Sequence, residues 1–153
     1  MTALGTVESD ALLRRARHAL YERDAHPEDL LPASLAHVSR SWRRSLAAGV
    51  DAFGMRPHVP HLSRFEVERA TERQHQLLAH ARPVMEYLHG QTRGSGSVLL
   101  LADADGLLLH ALGDPGFMTR AERVALMPGA SWHEQYRGTN AVGTALAEGV
   151  PVV

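Results

Sequence analysis

The sequence predicts an α+β fold in which N-terminal helices precede an antiparallel sheet flanked by further helices. Helical spacing of apolar residues dominates residues 1–93, whereas residues 97–103 form a largely apolar run that is typical of a strand buried on both faces. Asp103-Ala104-Asp105-Gly106 follows that run and is typical of a hairpin turn, after which residues 107–112 return as a second strand. Helices followed by a strand hairpin indicate an antiparallel sheet that is covered by helices.

Two amphipathic helices and a linker are expected in the first third of the chain. Residues 9–22 carry apolar side chains at helical spacing, and His26-Pro27 is expected to end that helix. A second helix is predicted from Ser34, with Gly49 as its terminator. Residues 52–62 are rich in glycine and proline and are predicted to form a linker.

The clearest helix start in the chain is Ser63. Ser63 and Glu66 have the spacing of a capping box. A heptad rhythm follows, at Val67, Ala70, Gln74, Leu77, Ala81, Val84 and Leu88. Pro83 interrupts it, so the helix either kinks there or ends near His80 and restarts with Pro83 in its first turn. The heptad stripe predicts a dimer contact or, alternatively, packing against residues 34–48 within one chain.

Turn and capping patterns follow the predicted hairpin. Asp114-Pro115-Gly116 predicts a turn, and Thr119 with Glu122 predicts a capping box for a short helix that reaches Leu126. Residues 150–153 are expected to begin a third strand. A sheet that begins a strand at its last residues looks truncated, so the chain is expected to be the N-terminal part of a longer protein.

Residues 131–149 predict a short helix whose two ends are both encoded locally. Gly138-Thr139-Asn140 supplies a turn and an N-cap, and Gly149 supplies a left-handed C-terminal residue. Gly143 lies inside the helix, where glycine costs about 1 kcal/mol relative to alanine. With Ala147 it forms a strip of small residues that permits a close approach. Four apolar side chains fall on one helix face: Ala141, Val142, Ala145 and Leu146.

Two strings resemble one family of regulators. The string W-x-E-x-x-x-G-T-N-A-V-G-T-A-L, residues 132–146, resembles a segment of the sensory GAF-type domain of sigma-54-dependent, enhancer-binding activators similar to the acetoin-catabolism regulator. The string S-W-R-R-S-L-A-A-G-V-D, residues 41–51, resembles the S-W-x-R-S/C element near the start of the same activators. The resemblance implies a helical segment with linker (1–62), a connecting or dimerisation helix (63–93) and the first part of a GAF-like domain (94–153).

Four residues of the string 132–146 are predicted to bind a ligand: Trp132, Tyr136, Asn140 and Gly143. The positive end of a helix beside an apolar wall suits an uncharged polar organic molecule. Two alternatives remain open. Trp132 can instead be a core aromatic residue, and Asn140 can serve only as a helix cap.

The composition argues against several classes of protein. The chain has no cysteine, which excludes disulfides, thiolate metal sites and thiol catalysis in this stretch. It has no G-x-S-x-G or Walker motif, its ten histidines lack metal-ligand spacing, and Asp103 and Asp105 fit a turn better than a calcium loop. We therefore predict no catalysis, no metal and no cofactor. An apolar run of ~20 residues is also lacking, so we expect a cytoplasmic chain without a membrane partner.

The resemblance implies the signal-input region of a bacterial transcriptional activator. A small organic effector would bind the GAF pocket and control an ATPase and DNA-binding part beyond Val153, and a homodimer is expected. DNA and RNA polymerase would be contacted only through that part, because a net charge of −1 gives these residues no basic face. The alternative is a structural dimerisation module whose pocket is vestigial or filled by side chains.

Overall fold

A computed structural model describes residues 6–23, 29–51, 59 and 61–152 and confirms the α+β class. Its elements are α1 (Thr6–Arg23), α2 (Ala36–Ala47), α3 (Arg64–Arg73), α4 (His75–Thr92), β1 (Val98–Ala102), β2 (Leu108–Gly113), α5 (Pro115–Arg123), α6 (Glu134–Arg137) and α7 (Ala141–Glu148). The expected helix end at His26-Pro27 and most of the predicted linker lie outside the described residues. Each helix in the described part of the chain is too short or too polar to cross a bilayer.

The chain forms two compact units. The first unit contains Met1–His58 and His133–Val153, and the second contains Val59–Trp132. The first unit therefore joins α1 and α2 to α6 and α7, whereas the second holds α3, α4, α5 and the hairpin. The predicted domain boundaries after residues 62 and 93 stay a prediction.

The core of the first unit lies between α1 and α2. Ala16 and Leu20 of α1 pack with Leu31 and with Trp42 of α2, and all four side chains are buried. Both predicted helices are confirmed, with small changes at their ends: α1 begins at Thr6, and a 3₁₀ turn, Ala33–Leu35, precedes α2. The apolar spacing in these helices is thus satisfied by their mutual burial.

The predicted capping box begins α3. The Ser63 hydroxyl accepts the Glu66 backbone N–H, and the Glu66 carboxylate accepts the Ser63 backbone N–H at 2.8 Å. The chain then breaks at Gln74 rather than near Pro83, which lies inside the continuous helix α4. Of the two alternatives at Pro83, the restart is therefore wrong, and the kink stays a prediction. The break at Gln74 lets Ala70 of α3 and Leu78 of α4 join one buried core.

The predicted heptad stripe is divided between buried and exposed surfaces. Its member Ala70 is buried, but Leu77, Val84 and Leu88 remain 41%, 57% and 43% exposed. The side chains that α4 buries are Leu78 and Met85, which lie outside the stripe. An exposed apolar stripe on α4 is compatible with the predicted dimer contact, which stays a prediction.

The predicted hairpin is confirmed as a two-stranded antiparallel sheet. Val98 lies opposite Gly113, and the register changes between Leu101 and Ala102. The Asp103 carboxylate accepts the backbone N–H groups of Asp105 and Leu107, both at 2.9 Å. Asp103 thus stabilises the turn as an Asx residue does.

Two predicted features beyond the hairpin are wrong. Helix α5 begins at Pro115, because a proline at the first helical position sacrifices no hydrogen bond. Thr119 consequently lies inside α5, where its hydroxyl donates to the Pro115 carbonyl at 3.2 Å instead of capping. The expected third strand is not formed in its described residues, 150–152. Gly149 turns the chain there, and Pro151 has no N–H for a strand ladder.

Candidate functional site

Both predicted ends of α7 are confirmed. The Asn140 side chain accepts the backbone N–H of Gly143 at 2.9 Å and donates to the Gly138 carbonyl at 2.8 Å. Gly149 adopts the left-handed conformation, with φ of 68°, and its N–H bonds the Ala145 carbonyl. Local chemistry alone therefore sets where this helix begins and ends.

The short helix α6 precedes α7 and was not predicted. His133 is its N-cap, with the imidazole Nδ1 accepting the backbone N–H of Gln135 at 3.2 Å. Its one buried residue is Glu134. Residues 134–148 are called the α6–α7 segment below.

The buried face of α7 differs from the predicted one. Gly143 and Thr144 are buried, whereas Ala141 and Leu146, two members of the predicted apolar face, are exposed. Helical periodicity predicted that the apolar face of α7 is buried, but the face that is buried carries the Thr144 hydroxyl. The reason is the nature of the surface that α2 presents to it.

Helix α2 presents two arginines to the α6–α7 segment. The Arg44 guanidinium donates to Glu134 through Nε (2.6 Å) and Nη2 (3.1 Å), and to Glu148 through Nη1 (2.7 Å). Arg40 donates from Nε to both carboxylate oxygens of Glu148, at 3.1 and 3.0 Å. Arg44 thereby joins the first residue of the segment to the last.

Three hydroxyl groups complete the contact between α2 and the segment. Thr144 donates to Glu134 Oε1 at 2.6 Å. Ser41 of α2 lies 2.7 Å from the Thr139 hydroxyl and 3.3 Å from the Thr144 hydroxyl. We call this set the buried polar network: Ser41, Arg44, Glu134, Thr139, Thr144 and Glu148.

Glu134 is held ionised although it is only 2% exposed. Burial by itself would raise the pKa of this carboxyl group. Hydrogen bonds from Arg44, Ser41 and Thr144 outweigh burial, so the pKa of Glu134 lies below its ordinary value of 4.5. The carboxylate is therefore a buried charge with its partners in place, and removing a partner is costly.

We expect the stability of the chain to fall in acid as Glu148 is protonated. Hydrogen bonds from Arg40 and Arg44 lower the pKa of Glu148 from 4.5 to about 2. A depressed pKa in the folded state contributes stability that is present above pH 4.5 and is lost as the pH falls from 4.5 towards 2. Urea unfolding at about pH 6 and about pH 3 measures this loss.

The matched control for the acid effect is Glu148→Gln. This variant lacks the titrating group, so its stability should fall less than that of the wild type over the same pH interval. Equal losses in the two proteins would contradict the assignment to Glu148.

The four residues predicted to bind a ligand are divided between the two units. Trp132 ends the second unit, where its indole N–H donates to the Ala125 carbonyl at 2.9 Å. Tyr136, Asn140 and Gly143 lie on the α6–α7 segment of the first unit. Tyr136 is half-buried and forms a T-shaped ring contact with His133, at 6.5 Å between centroids.

Asn140 acts as the predicted helix cap, and Gly143 is buried beneath it. A role in ligand binding stays a prediction for all four residues.

Three surface cavities within the described residues lie elsewhere. The largest, about 560 Å³, lies between α1 and the end of α2 and includes Arg17, Tyr21 and Val50 in its lining. A second of about 330 Å³ borders α1, and a third of about 280 Å³ borders α3 and α4. None of these three is lined by Trp132 or by the α6–α7 segment. Within the ranges that the structure describes, no three His, Asp or Glu side chains could together hold a metal ion.

Sequence reasoning missed the charged half of this site. Ser41 and Arg44 lie in one of the two recognised strings, and Glu134 and Thr144 lie in the other. The signal available in the sequence was one charged residue in each string, Arg44 in one and Glu134 in the other. Opposite charges in two motifs of one family are candidates for a mutual contact. Only the structure shows that they meet.

Comparison with known proteins gives one family. A family model described as MimR, N-terminal domain, matches residues 9–153. The acetoin dehydrogenase operon transcriptional activator AcoR of Bacillus subtilis (strain 168) is 33% identical over 116 residues, which are 75% of this chain and 19% of that protein. The propane 2-monooxygenase operon transcriptional activator MimR of Mycolicibacterium goodii is 30% identical over 145 residues, covering 94% and 23%.

These matches confirm the family resemblance predicted from the two strings. The chain spans about a fifth of the length of these relatives. Among solved structures, the E. coli DhaR(N)–DhaL complex contains a chain with a similar fold, at a TM-score of 0.66 and 18% identity. That similarity covers 74% of this chain and 38% of the other, and it concerns the fold alone.

Proposed function

Because this chain belongs to the family of MimR N-terminal domains, we propose that it is the signal-input region of a bacterial, sigma-54-dependent transcriptional activator. In this proposal a small organic effector binds a GAF-type domain, and binding changes how the region restrains an ATPase and DNA-binding part beyond Val153. The observation that carries the proposal is the family match over residues 9–153. Its relatives are activators of an acetoin dehydrogenase operon and a propane 2-monooxygenase operon.

We place the effector against the α6–α7 segment, beside Tyr136, Asn140 and Gly143. Tyr136 offers a half-buried aromatic ring four residues before Asn140, the N-cap of α7. The absence of a side chain on the buried Gly143 lets another group approach the first turn of α7 closely. An aromatic surface beside oriented backbone dipoles suits a small polar molecule.

The charge pattern favours an uncharged effector. Arg40 and Arg44, the arginines that α2 directs at the segment, already bond Glu134 and Glu148. Their charges are therefore balanced by carboxylates and do not call for an anionic ligand such as a nucleotide phosphate. Small ketones and alcohols fit this environment, and acetoin is the natural first probe.

Isothermal titration calorimetry tests the proposal with acetoin, acetone and propan-2-ol, against cyclic AMP and cyclic GMP as charged competitors. We expect binding of at least one uncharged probe. Gly143→Leu should abolish it, because the new side chain fills the close approach at the first turn of α7. Ala147→Leu is the matched control, since it places the same side chain on the same helix, at a position that is exposed.

Tighter binding of a cyclic nucleotide than of any ketone or alcohol would reject the uncharged effector. Equal loss of binding in Gly143→Leu and Ala147→Leu would reject the proposed location. In either case the family membership would stand, because it does not depend on the ligand.

The second candidate function is a structural dimerisation module. The exposed side chains of Leu77, Val84 and Leu88 on α4 favour it, since one face of a helix carries three large apolar groups. Light scattering of wild type and Leu77→Asp separates the two candidates. A dimer that Leu77→Asp dissociates, with no heat on titration of any probe, would favour the module over the sensor.

A further inference from the structure

We propose that Arg44 is a positioning residue: its guanidinium fixes the α6–α7 segment and with it Tyr136 of α6 and Asn140 at the start of α7. The observation is one side chain that bonds both ends of the segment, Glu134 at its first residue and Glu148 at its last. The effect of Arg44 on effector binding rests on the proposed function, whereas its effect on the position of the segment does not.

The segment has little stability of its own. Helix α6 has four residues and α7 has eight. Isolated helices shorter than ~12–15 residues are marginal in water, so neither would hold its place unaided. The position of the turn between them must therefore be imposed by tertiary contacts.

The segment buries polar or very small side chains. The buried residues of α6 and α7 are Glu134, Gly143 and Thr144, none of which has a large apolar side chain. Trp42 is the one large apolar side chain among the buried residues of α2, and it packs with Ala16 in the α1–α2 core.

Apolar burial is non-directional, whereas hydrogen bonds require defined distances and angles. The geometry of the segment consequently depends on the buried polar network.

Within that network Arg44 alone joins the two carboxylates among the described contacts. Arg40 bonds Glu148, and the Thr144 hydroxyl bonds Glu134. The planar guanidinium offers five donors in fixed directions, so one Arg44 side chain serves two carboxylates at once. Lysine keeps the charge but presents a compact ammonium group that cannot reproduce this geometry.

Amide hydrogen exchange of the full chain tests the proposal with Arg44→Lys, and with Arg40→Lys as the matched control on the same helix. We expect exchange at the Gly138 and Gly149 amides, which bond carbonyls within the segment, to rise about tenfold in Arg44→Lys. Amides of β1 and β2 should keep their wild-type rates. Arg40→Lys should change the segment much less, because Arg40 is mostly exposed and does not reach Glu134.

Unchanged exchange in the segment would overturn the proposal, and so would an equal rise across the whole chain, which would mean only a general loss of stability. If Arg44→Lys does not fold, Glu134→Gln provides the test. Glutamine has a similar shape but lacks the charge that the Arg44 guanidinium bonds at the first residue of the segment. A local rise in the segment supports the proposal, and unchanged or uniform exchange overturns it.

Titration with acetoin separates this inference from the proposed function. If the wild type binds acetoin, Arg44→Lys should weaken binding about tenfold without Arg44 touching the ligand, and unchanged affinity would overturn the positioning role. If the wild type binds no probe, the proposed function fails while the exchange result still decides the role of Arg44.

Discussion

Replacing Arg44 with alanine should lower the free energy of unfolding by about 3 kcal/mol. The substitution leaves Glu134 buried without its cationic partner, and an unpaired buried carboxylate is among the most destabilising changes a single residue can cause. We place the loss at the low end for buried ion pairs, because the Arg44 side chain is 35% exposed and water can enter the vacated space. Urea unfolding of wild type and variant measures the difference.

The matched control is Arg40→Ala on the same helix, which should have a much smaller effect because its contact with Glu148 is exposed to solvent. A second comparison is between Arg44→Met and the double variant that carries Arg44→Met together with Glu134→Gln. Removing both charges should recover most of the stability, since the penalty comes from the unpaired charge. Equal effects of Arg40→Ala and Arg44→Ala would show that the buried polar network does not act as inferred.

Replacing Gly129 with alanine should destabilise the second unit by about 3 kcal/mol. Gly129 has φ of 92°, which side-chain-bearing residues rarely adopt. Its added Cβ would lie 2.6 Å from Val67 Cγ2, so α3 would have to shift. A valine side chain cannot easily rotate away, because its branched Cβ restricts χ1. Thermal or urea unfolding measures the effect.

Gly90→Ala is the control for the Gly129 prediction. Gly90 lies within α4 with no atom within 4 Å of the position of an added Cβ. Alanine should therefore stabilise the helix by up to about 1 kcal/mol. Adding Val67→Ala to Gly129→Ala should not restore full stability, because it relieves the contact and leaves the unfavourable φ. A neutral Gly129→Ala would show that the loop adjusts freely.

Local hydrogen bonds made some elements predictable. The Ser63–Glu66 capping box, the Asn140 cap and the Asp103 turn each join atoms within four residues along the chain. Such contacts depend on the spacing of residue types alone, and the sequence states that spacing directly. The apolar run at residues 97–103 likewise predicted β1, which the structure places at Val98–Ala102.

The errors in predicting the start of α5 and the break before α4 have two different causes. Thr119 and Glu122 have capping spacing, but Asp114-Pro115 starts the helix earlier, and the Asp114 carboxylate accepts the Gly94 N–H instead of capping. Pro83 is the stronger helix breaker by propensity. The break nevertheless falls at Gln74, where it allows both helices to bury residues against the sheet. At α5 an earlier local start signal therefore sets the boundary, whereas at α4 tertiary burial outweighs propensity.

The sequence by itself determined the α+β class, the start of α3, both ends of α7, the hairpin and the family, because each depends on near neighbours or on a continuous string of residues. Only the tertiary structure decided that Arg44 bonds Glu134 and Glu148, 90 and 104 residues further along the chain. It also decided that Thr144, rather than Leu146, is buried in α7. Periodicity assigns apolar residues to the inside, but it cannot foresee that α2 presents charged and hydroxyl groups there, which favour a polar helix face as their partner.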